Sequence, residues 1–140
     1  MSWSRPIADA AALEAAIAVL DALAEAGTIA RRLEADCRAL GADDLATTAA
    51  TLARAFDHVA AGEVEPHHAQ WMGAATAWAL RQAVTHAAAG YPVDAAALAG
   101  ARYELETLFP IPATGVRPTR PGDGPTVPAS SLVRPKPAGP

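Results

Sequence analysis

The chain has 140 residues, is half apolar by composition (51%) and carries a formal net charge of −4, which leaves room for one domain with a modest core. A single cysteine, Cys37, excludes an intramolecular disulfide and a thiolate cluster. No run reaches the ~18 uninterrupted apolar residues of a membrane span, and the opening Met-Ser-Trp-Ser-Arg-Pro lacks an apolar signal core, so a cytoplasmic, non-membrane protein is the expectation.

Charge is unevenly placed. Residues 1–109 carry seven arginines against fourteen Asp and Glu, a net of −7, whereas residues 110–140 carry a net of +3. An acidic folded part argues against nucleic-acid binding. Alanine dominates the first 109 residues; it favours helix but buries little area per residue, and dimerisation is one way to bury more.

In chain order, Ser4-Arg5-Pro6 reads as a helix start. Ala10, Leu13, Ile17, Leu20 and Ala24 recur at three- and four-residue steps and define one face. At Gly27-Thr28 the helix either breaks, with Thr28 capping a second one, or runs on to Leu40 with Gly27 marking a close contact; a break or bend is favoured because Leu33, Cys37 and Leu40 resume slightly out of register. Gly41 stops this segment, and Asp43 or Asp44 is the expected cap of the next, whose stripe is Leu45, Thr48, Leu52, Phe56 and Val59. That helix ends near Gly62. Pro66 opens a central helix running to Ala89, Gly90-Tyr91-Pro92 stops it, and Asp94 caps a last helix with Leu98, Ala101, Leu105 and Leu108 on one side. Nine of the twelve prolines lie from Pro110 onward, so residues 110–140 are expected to be a disordered tail. The expected fold is all-α: a four- or five-helix bundle over residues 1–109, with no strand.

The central helix is apolar on two sides. On a wheel Trp71, Trp78 and Gln82 fall within about 20°, with Gly73, Ala77, Leu80, Val84 and Ala88 opposite. A helix without a polar face is expected to be buried among others, with the small residues admitting a close neighbour. Core packing is the first reading of the Trp71–Trp78 stripe. A partner-binding anchor pair at a dimer or protein interface is the second.

Two further patterns bear on chemistry. His67 and His68, with Glu63, Glu65 and the nearby Asp57-His58, are potential metal ligands, but no HExxH or ExxH spacing organises them, and a solvated helix start is favoured. Arg81, four residues, then His86 resembles the signature of HEPN-domain ribonucleases, small all-helical proteins that often dimerise. The resemblance implies a metal-independent RNA-cleaving site in which Arg81 steadies the phosphate and His86 acts as acid or base. No nucleophile constellation or phosphate loop is readable, and no cofactor is implied. In the tail, Pro118–Pro121 and Pro125–Pro128 have the PxxP spacing of polyproline II ligands, and the stretch from Thr126 to Arg134, with Ser131-Leu132-Val133-Arg134, is similar to the docking peptides of encapsulin cargo proteins. An unstructured spacer is the simpler expectation for it, and its weakly basic charge is compatible with contact to an acidic partner. The expected role is non-catalytic: a small, self-associating interaction or accessory protein.

Overall fold

The protein is described by a computed structural model over residues 2–109. The tail readings, from disorder to the PxxP and cargo-peptide patterns, fall outside these residues. The described residues form five α-helices: α1 (Ser4–Ile17), α2 (Leu23–Ala39), α3 (Asp43–Ala60), α4 (Pro66–Ala88) and α5 (Ala95–Glu106), with a 3₁₀ turn at Leu20–Ala22. The described residues contain no strand.

Ion pairs give the helix directions. Arg5 meets Asp36 and Arg32 meets Asp9, so α1 and α2 run antiparallel. Gln70 donates to the Ile17 carbonyl at 2.9 Å and Arg81 contacts Glu14, which runs α4 antiparallel to α1. Arg102 reaches Thr48 and Arg54 reaches Glu106, which sets α5 parallel to α3. Helices α1 to α4 therefore form an up-down-up-down bundle, and α5 packs against α3 and α4.

Three helices end on one device. At Gly41 (φ 76°) the Ala42 N–H donates to the Cys37 carbonyl at 2.9 Å, and the Gly41 N–H to Arg38 at 3.0 Å. Two bonds of this pattern satisfy carbonyls the helix leaves open, and the left-handed residue they require is one that only glycine adopts at no cost. The same pair of bonds recurs at Gly62 and Gly90.

The first connection differs from expectation. The break lies at Ala18–Ala22, where Val19 is extended (φ −113°, ψ 114°), and not at Gly27-Thr28. In consequence Leu23 takes the core position, Leu20 is only half-buried and Ala24 is exposed. Gly27 lies inside α2 and marks a close contact, as the second alternative required: a Cβ there would stand 3.4 Å from Phe56 Cβ. The expected Asp43 or Asp44 cap is also corrected. Ala42 is the N-cap with no side-chain bond, and both aspartates sit in the first turn, where their charge faces the positive end of the helix.

Phe56, 2% exposed, is the largest side chain at the centre. It lies between Gly27 of α2 and Gly73 of α4, where an added Cβ would be 2.9 Å from its Cζ. Leu13, Ile17, Leu33, Leu45, Leu52, Leu80 and Val84 surround this axis, with alanines such as Ala30, Ala49 and Ala77 filling the close helix contacts. The small-residue side of α4 thus faces the bundle. At the far end Phe109 stacks under Arg54 (4.6 Å) and beside His58 (5.0 Å), tying the end of α5 to α3.

Candidate functional site

The outer side of α4 is the most distinctive surface. Trp71 is 73% and Trp78 55% exposed, so the core reading of this pair does not hold. They lie two turns apart, about 10 Å along the axis. Ala74 and Ala75 between them are exposed and uncharged, and beyond Trp78 follow the uncharged Gln82, half-buried, and Thr85, exposed. Trp78 then borders a groove of about 240 Å³ between α4 and α5, floored by Ala83 and Leu98 and edged by His86 and Asp94. Tyr91, 65% exposed, stands edge-on to His86 at 6.3 Å. The result is an apolar and aromatic strip from Trp71 to the α4–α5 turn.

Arg81 and His86 are not brought together. Arg81 turns to α1, its Nε 2.6 Å from Glu14 Oε1 in a close ionic contact whose angle lies outside hydrogen-bond alignment. His86 turns the other way, to the groove and Tyr91. This is the separation of about 140° that five residues of straight helix impose.

His67 and His68 form the exposed first turn of α4. Their backbone amides donate to the Glu65 carboxylate at 3.0 and 2.8 Å, making Glu65 the N-cap. Those two bonds, with a further contact from the His67 ring, hold the Glu65 carboxyl below the usual carboxylate range. The His67 ring Nδ1 lies 3.0 Å from Glu65, and the His58 Nδ1 lies 2.8 Å from Glu63. Each imidazole is thus paired with one carboxylate, and among the described residues no three His, Cys, Asp or Glu side chains are grouped as a metal would need.

One titratable cluster escaped the sequence reading. Asp9 of α1, buried, and Asp36 of α2, half-buried, meet in the helix interface beside Cys37. Burial, reinforced by the nearby charges of Asp36 and Asp9, pushes the Cys37 thiol up to about 11. At pH 7 its thiolate fraction is then about one part in ten thousand. The native protein is therefore expected to leave Cys37 unmodified by iodoacetamide over hours at pH 7, with full labelling in guanidinium; rapid labelling of the native chain would contradict the burial.

No protein-family model, curated protein or solved structure matches the chain. Among the described residues, no helix is long and apolar enough to cross a membrane.

Proposed function

We propose that this chain is a non-catalytic helical interaction module that self-associates through the outer face of α4, with Trp71 and Trp78 as anchors. The observation that carries this reading is the exposure of two tryptophans on a face without charge. Arg81 is the only Lys, Arg, Asp or Glu of α4, and it is engaged with Glu14 at the side. Two copies of a bundle with net charge −7 over residues 1–109 repel on average. The uncharged α4 strip is where they can approach without desolvating an ion.

Area supports a second copy as the occupant. A tryptophan can bury about 150–250 Å², and with Trp71 73% and Trp78 55% exposed four across a two-fold axis supply roughly 400–650 Å², up to about half of the roughly 1,200 Å² at which specific interfaces begin, with the uncharged residues flanking them on both copies supplying the rest. A cytoplasmic setting belongs to this reading, since the lone cysteine is free and buried. Sedimentation velocity of the full chain tests it: a concentration-dependent dimer in the micromolar range is expected. A strict monomer up to about a hundred micromolar, where an interface of micromolar affinity is largely dimeric, removes it.

A further inference from the structure

The Asp9–Asp36 contact has an unusual donor balance. Asp9 is 8% exposed, and the Asp36 side chain 15%. One oxygen of each faces an arginine of the opposite helix: Asp9 Oδ1 lies 3.4 Å from Arg32, and Asp36 Oδ1 lies 3.6 Å from Arg5. The second oxygen of each, Oδ2, is buried with no donor. Two ionised carboxylates offer only acceptors, so in that state both Oδ2 atoms are orphaned. A single proton makes one of them a donor to its neighbour and satisfies the pair.

We propose that Asp9 and Asp36 form a proton-gated latch between α1 and α2, closed while one carboxyl donates to the other and weakened when both ionise and the proton passes to solvent. The groups that act on Asp9 come from α2 and are Asp36 and Arg32; Arg5 of α1 faces Asp36, and Cys37 stays neutral beside them. Where α1 packs on α4, the ionised pair is Glu14 with Arg81, on the opposite side of the helix end. The arginines do not cancel the second charge, because the Arg5 and Arg32 side chains are 79% and 54% exposed and screened by water. In keeping with this geometry, the Asp9 carboxyl is held above the usual carboxylate range, first by burial and then by its bond with Asp36.

The sign follows from linkage. A carboxyl whose folded value lies above its unfolded one stabilises the fold at low pH, and this contribution is lost as pH rises through the folded value. Mild acid therefore tightens α1, and a pH above the pair's titration loosens it. Loosening α1 withdraws Leu13 and Ile17 from the core and the Glu14 contact from α4.

Hydrogen exchange on the full chain, corrected for intrinsic rates, tests the latch. Protection of α1 amides relative to α3 is expected to fall as pH rises through the pair's titration, roughly tenfold for each pH unit separating the folded from the unfolded value. Asp9→Asn keeps a donor facing Asp36 at every pH, and is expected to flatten this dependence. Parallel profiles in the two proteins would overturn the proposal. A ¹³C carboxyl titration of the unmodified chain decides it independently should that variant fail to fold. One member of the pair must titrate above the ordinary aspartate value of about 3.9, and ordinary titration of both sinks the latch.

Discussion

Replacing Trp71 and Trp78 together with alanine is expected to abolish self-association while leaving the bundle folded. Both side chains are mostly in water in the single chain, so their truncation removes little that the fold depends on, and exposed substitutions of this kind change stability by about 0.5 kcal/mol or less. At an interface the same atoms would be desolvated. Tryptophan anchors cost about 2 kcal/mol or more each when truncated, so a variant that loses both from each of its two copies weakens association by at least roughly a thousandfold. The two readouts must therefore separate: an unchanged melting temperature and helical circular dichroism, with a sedimentation profile that collapses to monomer. Trp78→Phe, which keeps an aromatic ring beside the α4–α5 groove, should fall between. An association constant unmoved by the double substitution would place the interface elsewhere and leave the Trp strip without the role proposed for it.

The residues that made the fold legible are those with a local cause. Gly41, Gly62 and Gly90 stop helices through a left-handed backbone, Pro66 opens α4, and the Asp94 side chain caps α5 at 3.0 Å from the Ala97 amide. The turn at Ala18–Ala22 had no such mark. It contains neither Gly nor Pro, and its alanines and leucines fit a continuing helix equally well. That one missing turn concealed the antiparallel pairing of α1 with α2, and with it the meeting of Asp9 and Asp36. Two aspartates so far apart in sequence have no visible relation until the hairpin is known. The wheel of α4 failed differently. It separated the Trp side from the small side correctly, but periodicity is indifferent to which of two apolar sides is turned inward. Volume decided: the space beside α4 is already filled by Phe56, which admits a glycine and not an indole.

That volume argument yields the second large effect. Gly73→Ala adds a Cβ 2.9 Å from Phe56 Cζ and 3.7 Å from Leu52 Cδ2, closer to the ring than packed carbons come, so the buried Phe56 ring must shift within the core. Alanine in mid-helix gains about 1 kcal/mol over glycine, but overpacking a filled core costs about 1–3 kcal/mol, so the net expectation is a loss of about 1 kcal/mol. For a domain of this size that is a fall of roughly 4–8 °C in melting temperature. Phe56→Leu removes the clashing Cζ. In that background Gly73→Ala should change sign and stabilise, by the helix gain plus the burial of one methyl, about 1–2 kcal/mol together. The double-mutant cycle thus predicts a coupling of about 2–3 kcal/mol, at the upper end of what contacting residues show. Phe56→Ala, by contrast, opens a cavity no single methyl can fill and should cost about 3–5 kcal/mol, close to the whole stability of a small bundle. If Gly73→Ala stabilised both backgrounds equally, Phe56 would not be what forces the small side of α4 inward. None of these core changes touches the outer face, so association measured on the folded Gly73→Ala variant should match that of the unmodified chain, which separates the packing role of α4 from its proposed role as an interface.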